Sequence, residues 1–188
     1  GQTTTSDEWP LAARGAAGLV SPGGGRALAR AIEGANIDAG SRVVELGAGF
    51  GTASRGLLAA GPRTWTGVDA DPLAVEHLRR THAGPGREVV LAPPDATGLD
   101  DGVASAVVAD GLLCTCGPDA ARAVLAESRR LLGPSGRLAV IDIVLADDAP
   151  ADVADDLAAV GLYVRSVEAW RTLVEDAGLA VVGSIVGP

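Results

Sequence analysis

The chain has 188 residues, of which 47% are hydrophobic, and its 15 basic residues, all of them arginine, are outnumbered by 24 acidic ones, giving a formal net charge of -9. That length is typical of one domain with a buried core, while the negative charge argues against a nucleic-acid partner, which attracts clustered positive charge. No apolar run approaches the roughly 20 residues of a membrane helix, and two cysteines are too few for a secreted disulfide framework, so we predict a cytoplasmic protein with no membrane partner.

The first 24 residues differ from the rest in composition. They are polar and then rich in Ala and Gly, and they carry Trp9 in a chain that is only 3% aromatic. We predict that residues 1–24 form a separate N-terminal segment, a candidate lid over a ligand. Residues 25–188 are predicted to form the main domain, which opens with a helix over residues 26–35.

From residue 42 onward, strand-like and helix-like patterns alternate. Strands are predicted at residues 42–46, 64–68, 88–91, 104–109 and 137–145, with a last strand at 179–186. Helices are predicted at residues 52–60, 72–82, 118–132 and 167–177. This alternation is typical of the α/β class, and it predicts a Rossmann-like, doubly wound and mostly parallel sheet with helices on both faces.

Residues at the predicted helix ends support these boundaries. Asp71 can cap the helix that begins at Pro72, because its carboxylate can accept from a free N–H group of the first turn. Gly133 and Gly178 stand where a glycine commonly ends a helix. The Asp-rich stretch at residues 147–156 is predicted to be a solvent-exposed loop that leads into a helix.

A glycine-rich turn follows the first predicted strand. The strand ends in Glu45, and glycines then recur at every second position, as Gly47, Gly49 and Gly51, with Ala48 between the first two. Such a turn between a strand and a helix is where an open α/β sheet presents backbone N–H groups to a ligand, because the missing side chains let the backbone approach it. Glu45 can accept a hydrogen bond from an ammonium group, directly or through water.

Three further acids follow the next three strands. Asp69 ends the second strand, where a carboxylate can accept from both hydroxyls of a ribose. Asp95 follows the third strand, where it can accept from an adenine amino group while the N–H of Ala96 reaches a ring nitrogen. Asp110 ends the fourth strand. Each acid alone is commonly a turn former, but their order and spacing together predict a nucleoside ligand.

The chain resembles the class I S-adenosylmethionine-dependent methyltransferases from about residue 25 to residue 183, most closely in VVELGAGFGTAS, GVDADPLAVEHLRR, PDAT and ESRRLLGPSGRLAVID. In that family the glycine turn holds the methionine part of the cofactor, the acid ending the second strand holds the ribose, and the residue after it packs on the adenine, which the acid after the third strand also faces. The resemblance therefore implies S-adenosylmethionine as cofactor and S-adenosylhomocysteine as product. The binding residues that it implies are Glu45, Gly47, Ala48, Gly49, Gly51, Asp69, Ala70, Asp95, Ala96 and Asp110.

The spacing of these motifs distinguishes between possible ligands and substrates. A nicotinamide-dependent oxidoreductase would carry GxGxxG, whose third glycine falls where this chain has Thr52. DNA adenine methyltransferases carry two prolines after strand four, whereas Pro93 and Pro94 follow strand three. Within the family, PGGGRAL before strand one and the stretch at residues 110–145 resemble methyltransferases that act on small molecules, which implies a small-molecule acceptor. A protein that binds the cofactor without catalysis is the alternative, because binding motifs and chemistry are separable.

Methyl transfer is an in-line displacement, to which an enzyme contributes mainly by holding the reactants in line, so the catalytic residues stay unknown. Where the acceptor needs a base, the candidates are Asp110 and Asp142 at strand ends. His77 and His82 are further candidates, more simply explained as exposed helix residues.

Two further expectations concern the cysteines and the end of the chain. Cys114 and Cys116 are expected to be buried and inert, and no metal site is predicted. The family's sheet commonly finishes with two C-terminal strands, whereas only residues 179–186 remain here. Either the chain is truncated or something else covers the edge, such as the second subunit of a homodimer.

Overall fold

The computed structural model describes residues 24–186, which form a parallel β-sheet with helices packed on both of its faces. The strands are β1 (Arg42–Leu46), β2 (Thr64–Asp69), β3 (Arg87–Leu91), β4 (Ala104–Asp110) and β5 (Leu132–Ile141). The helices are α1 (Gly24–Gly34), α2 (Thr52–Ala59), α3 (Pro72–Thr81), α4 (Pro118–Leu131), α5 (Val153–Ala159) and α6 (Val167–Asp176). The predicted α/β class and Rossmann-like sheet are confirmed.

The order of the strands places one crevice in the sheet. The order is β3-β2-β1-β4-β5, with every pairing parallel. The chain winds outward from β1 to β3 and then returns to the other side of β1 with β4. Loops that leave neighbouring strands in opposite directions open a crevice at the carboxyl ends of those strands. The glycine turn after β1 and the end of β4 both lie at this point.

Each face of the sheet has its own apolar core, because alternate residues of a strand point to opposite faces. On one face, Leu57 of α2 and Leu78 of α3 pack with Trp65 of β2. On the other face, Leu125 of α4 and Leu173 of α6 pack with the intervening strand residues. Full burial of one such leucine stabilises the fold by about 1.5–3 kcal/mol.

Two of the predicted helix ends are confirmed. Asp71 precedes Pro72, the first residue of α3, and its Oδ1 accepts from the N–H of Leu73 at 2.9 Å. Gly178 follows α6 with φ +77°, and its N–H donates to the carbonyl of Glu175. Both residues therefore occupy the capping positions that their types favour.

The predicted role of Gly133 as a helix end is wrong. Helix α4 ends at Leu131, and Leu132 enters an extended conformation at once, with φ −76° and ψ 132°. Leu132 pairs with Ala104 of β4, so the chain enters the sheet directly after the helix and no left-handed glycine is needed to end it. Strand β5 accordingly begins earlier than predicted, with an irregular pairing before Arg137.

The predicted strand at residues 179–186 is also wrong. These residues are irregular, and Val182 and Ile185 are 84% and 65% exposed. Strand preference largely reflects packing against a neighbouring strand, and none of the described strands pairs with this segment. After β5, an isolated parallel bridge joins Val144 to Arg165 outside the named strands. None of the helices within residues 24–186 has the length and apolar character needed to cross a membrane.

Candidate functional site

Three glycines determine the shape of the turn after β1. Gly47, Gly49 and Gly51 have φ of +68°, +55° and +89°, in the left-handed region that side chains disfavour. Space is also short at two of them. A Cβ at Gly47 would lie 2.9 Å from Leu112 Cδ1, and one at Gly51 would lie 2.5 Å from His82 Cε1. The glycine spacing therefore reflects backbone conformation at all three positions and crowding at two.

Several N–H groups of this turn are used inside the protein. Gly47 and Ala48 both donate to the carbonyl of Val68, at 2.9 and 3.1 Å. Gly49 donates to Oδ2 of Asp69 at 2.7 Å. In this structure β2 therefore supplies the acceptors for all three of these N–H groups.

Carboxyl side chains stand at the ends of three neighbouring strands. Glu45 of β1 pairs with Gly67 of β2 and Val108 of β4, and Asp69 and Asp110 each lie two positions beyond those partners. Since side chains alternate along a strand, all three acids leave the same face of the sheet, the one that α1, α2 and α3 cover. The structure therefore brings together three of the residues singled out from the sequence.

Glu45 lies inside the core beneath the turn. The residue is only 1% exposed, and its Oε2 accepts hydrogen bonds from Ser54 Oγ and Trp65 Nε1, both at 2.8 Å. Burial raises the pKa of Glu45 to about 7, with smaller contributions from the nearby Asp110 and Asp69 carboxyls, while the two hydrogen bonds oppose this rise. Glu45 thereby joins β1 to α2 and β2 and supports the turn from within.

Asp69 connects the glycine turn to the start of α3. Besides the bond from Gly49, its Oδ1 accepts from the N–H of Asp71 at 2.8 Å. Burial raises the pKa of Asp69, and the backbone N–H groups of Asp71, Gly49 and Ala70 act against that rise. A carboxylate has about four acceptor positions, so some acceptor capacity remains. Ala70, the next residue, is exposed.

The loop after β3 carries Asp95 and Ala96, both exposed. The N–H of Ala96 donates to the carbonyl of Pro93 at 3.2 Å, so in this structure the turn itself uses that donor. Thr97 follows and is buried. Its N–H and its hydroxyl both donate to Oε1 of Glu127 on α4, at 2.9 and 2.6 Å. The loop that presents Asp95 is thus fixed to α4.

Glu127 and Arg130 form a pair that sequence reasoning missed. Arg130 donates to both carboxylate oxygens of Glu127 at 2.8 Å, and this pairing lowers the pKa of Glu127 to about 2. The sequence contained one signal of it. Glu127 falls on the buried stripe of α4 that includes Val124 and Leu131, where an acid requires a partner.

Asp142, the second candidate base, follows β5 and holds the loop after β4. Its Oδ2 accepts from the N–H of Cys114 at 2.9 Å, and its Oδ1 accepts from the N–H of Ile143 at 2.8 Å. Cys114 is buried, and burial together with Asp142 raises the pKa of its thiol. Cys116 is half-buried, and burial raises its thiol pKa as well. The expected burial is confirmed for Cys114.

Arg165 is a further residue that the sequence did not single out. Its Nη1 donates to the carbonyl of Leu113 at 3.1 Å and its Nη2 to that of Cys116 at 2.9 Å, while the guanidinium lies 5.0 Å from the ring centroid of Trp170. These contacts hold the loop after β4 against the start of α6. A lone arginine before a helix forms no motif, so no sequence pattern indicated this role.

The two histidines lie elsewhere. The expectation that His82 is exposed is wrong, because it is buried at the end of α3 with its ring against Gly51 and 6.1 Å from the ring centroid of Trp65. His77 contacts the ring of Phe50 edge-on, with centroids 5.5 Å apart. Both histidines line a cavity between α2 and α3, which none of the strand-end carboxyls lines.

Residues 43–136, from β1 to the start of β5, match the model of a protein family described as a methyltransferase domain. That match spans half of the chain, and the chain belongs to this family as a class I S-adenosylmethionine-dependent methyltransferase domain. No curated protein matches the sequence.

Solved structures share the fold. One is Burkholderia thailandensis 1,6-didemethyltoxoflavin-N1-methyltransferase, whose structure contains 1,6-didemethyltoxoflavin and S-adenosylhomocysteine. Its sequence is 25% identical to this one, and the two structures align with a TM-score of 0.67 over 86% of this chain and 69% of that chain. A chain from the complex of the Haloferax volcanii methyltransferase activator Trm112 with a protein described as a methyltransferase is 23% identical, with a TM-score of 0.69 over 84% of this chain and 68% of that one. Haemonchus contortus phosphoethanolamine N-methyltransferase 2, in complex with S-adenosylmethionine, is 17% identical with a TM-score of 0.70, over 85% of this chain and 38% of its own.

Proposed function

We propose that this protein transfers the methyl group of S-adenosylmethionine to a small-molecule acceptor at the carboxyl ends of β1, β2 and β4. The observation that carries the proposal is the convergence of Glu45, Asp69 and Asp110 at the switch point of the sheet. S-adenosylmethionine carries a sulfonium and an ammonium group, so a site edged by carboxyl groups fits its charge.

The same site is unsuited to a nicotinamide dinucleotide. Such a cofactor presents a pyrophosphate to the glycine turn, and pyrophosphate sites depend on free backbone N–H groups at a helix N-terminus. Here the N–H groups of Gly47, Ala48 and Gly49 already donate to β2. The carboxyl groups nearby would repel the phosphates. Both features support a cationic ligand over an anionic one.

The proposal assigns the cofactor's parts to individual residues. Asp69 accepts from the ribose hydroxyls with its remaining acceptor positions, each such bond contributing about 1.5–3 kcal/mol. Asp95, Ala96 and Ala70 border the adenine. The turn residues Gly47, Ala48, Gly49 and Gly51 approach the methionine part without side-chain bulk, and Glu45 supports the turn from beneath. Asp110 lies on the β4 side.

The bound cofactor supplies an electrophilic methyl group, and the chain supplies position and exclusion of water. Asp142 uses both carboxylate oxygens to hold backbone N–H groups, which favours a positioning role for it. If the acceptor must lose a proton, Asp110 is the candidate base on the strand beside β1, from which the glycine turn leaves. Residues 1–23, with Trp9, lie outside the described residues, and we retain the segment 1–24 as a proposed lid over the acceptor.

The proposal is tested by binding and by turnover. Calorimetry with S-adenosylmethionine, S-adenosylhomocysteine and NADH should show binding of the first two and none of NADH. Incubation with S-adenosylmethionine and small aromatic or heteroaromatic acceptors, followed by detection of S-adenosylhomocysteine, tests the reaction. Binding of NADH alone would contradict the cofactor assignment. Cofactor binding without turnover across acceptor classes would favour a non-catalytic binding protein.

A further inference from the structure

A cavity of about 530 Å³ opens between α2 and α3, separate from the strand-end carboxyls. We call it the α2–α3 cavity. Its walls are Phe50, Arg55, Leu58, His77, Thr81, His82 and Arg87. The volume falls within the range of about 300–1,000 Å³ that is usual for small-molecule sites. The cofactor assignment gives this cavity no role.

The charge of the α2–α3 cavity is opposite to that of the chain. The whole sequence has a formal net charge of -9, yet none of the described residues that line the cavity is acidic. Within residues 24–186, neither Arg55 nor Arg87 forms an ion pair. His82 faces these two arginines and His77. Burial is the largest cause of its lowered pKa, and the charges of His77, Arg55 and Arg87 lower it further. Positive charge that has no ion-pair partner among the described residues is complementary to an anion.

The remaining walls are apolar or aromatic. Phe50 and His77 meet edge to face, and Leu58 is half-buried beside them. A bare inorganic anion would leave these surfaces without a partner, because they gain only from contact with an apolar body. The combination of a cationic rim and aromatic walls therefore specifies an anion that is attached to an apolar group.

We propose that the α2–α3 cavity binds a small organic anion, with Arg55 and Arg87 on its carboxylate or phosphate and the rings of Phe50 and His77 on its apolar part. Arginine suits this role, since its planar donors match the oxygens of either acid group. The ligand would lie near the glycine turn, because His82 lines the cavity and its ring packs against Gly51. The site is therefore distinct from the cofactor site but shares a wall with it.

Calorimetry of the full chain without cofactor tests the proposal, with phenyl phosphate, benzoate, inorganic phosphate and benzyl alcohol as probes. We expect phenyl phosphate or benzoate to bind once per chain, at least about tenfold more tightly than inorganic phosphate or the neutral alcohol. The stronger of the two organic anions identifies the preferred acid group. Equal binding of inorganic phosphate would overturn the organic part of the ligand, and equal binding of benzyl alcohol would overturn the anionic part. Absence of binding by both organic anions would overturn the site.

Paired variants locate the probe. The double variant Arg55→Gln/Arg87→Gln should lower organic-anion affinity about tenfold or more, while Arg55→Lys/Arg87→Lys, which keeps the charge but loses the planar donors, should lower it less. Arg26→Gln/Arg30→Gln on the exposed face of α1 removes the same charge and should have no effect. Unchanged affinity in the first variant, or displacement of the probe by S-adenosylhomocysteine, would overturn the proposal. Binding of S-adenosylhomocysteine by Arg55→Gln/Arg87→Gln is measured separately, so a failure of this site and a failure of the cofactor site give different results.

Discussion

Asp69 has two tasks at once, and its removal should affect both. It accepts from Gly49 and Asp71 within the protein, and we propose that it also accepts from the ribose. Asp69→Ala should therefore weaken S-adenosylhomocysteine binding by at least the contribution of one such bond, about 1.5–3 kcal/mol, which is roughly 10- to 150-fold in the dissociation constant. Calorimetry measures this change. Asp148→Ala, which removes an exposed loop charge, is the control, and an unchanged constant for Asp69→Ala would refute the ribose contact.

Gly51 combines backbone strain with crowding, and the chain offers a residue that separates the two. Gly51 and Gly161 have similar φ, +89° and +84°, but a Cβ at Gly161 would have nothing within 4 Å, whereas one at Gly51 would meet His82. We expect Gly161→Ala to lower the free energy of unfolding by about 1 kcal/mol and Gly51→Ala by about 2–4 kcal/mol. Urea unfolding measures both. Equal losses would mean that His82 moves aside at no cost.

Residues of the site could be located from the sequence where a backbone requirement fixes their type. The left-handed φ at three alternate positions requires glycine, which made the turn recognisable. The carboxyl ends of parallel strands meet at one edge of the sheet, so acids at those ends could be predicted to lie close together. The hydrogen-bond partners could not be found in this way. The pattern does not reveal that the N–H of Gly49 donates to Asp69, or that Arg165 reaches the carbonyls of Leu113 and Cys116, because those contacts depend on how distant segments pack.

At the scale of whole elements, α4 holds the loop after β3 through one buried acid. Glu127→Gln removes the charge that Arg130 and Thr97 both contact, and we expect it to lower the free energy of unfolding by about 1–3 kcal/mol. Helix α4 contains a matched control, because Asp119 and Arg122 form an exposed pair with the same spacing. Asp119→Asn should cost less than about 0.5 kcal/mol. Denaturant titration compares them, and similar costs would contradict a structural role for Glu127.

Burial and strand pairing explain which elements could be predicted from the sequence. Strands β1, β2 and β4 are buried between two layers, so their apolar runs and their burial agree. Residues 179–186 have an equally apolar composition but form no strand, since strand formation also requires a hydrogen-bonded neighbour. Leu132 shows the converse, because pairing with Ala104 ended a helix where Gly133 was expected to do so.

For the whole molecule, two buried glutamates should give stability opposite dependences on pH. The pKa of Glu45 is raised from 4.5 to about 7, so between these values the folded state keeps a proton that the unfolded state has lost, and stability falls as pH rises. The pKa of Glu127 is lowered from 4.5 to about 2, so stability falls as pH decreases through that window. Together the two groups favour the folded state most near the ordinary glutamate pKa.

Glu45→Gln tests the first of these dependences. The amide oxygen can still accept from Ser54 and Trp65 but does not titrate, so the decline in unfolding free energy between about pH 5 and about pH 7 should become shallower. Urea unfolding at several pH values measures the slope. Glu168→Gln, which removes an exposed acid from α6, serves as the control and should keep the wild-type slope. A Glu45→Gln slope equal to wild type would show that Glu45 is ionised throughout.

The internal hydrogen bonds of the glycine turn affect the entropy of binding. Loops that close over a ligand lose backbone freedom when they do so, and each residue fixed costs about 1–2 kcal/mol at room temperature. Gly47, Ala48 and Gly49 are bonded to β2 by hydrogen bonds within the fold itself, so this cost is met during folding. A molecule that enters the crevice therefore meets a surface of fixed shape, and any ordering that accompanies its binding must come from other segments of the chain.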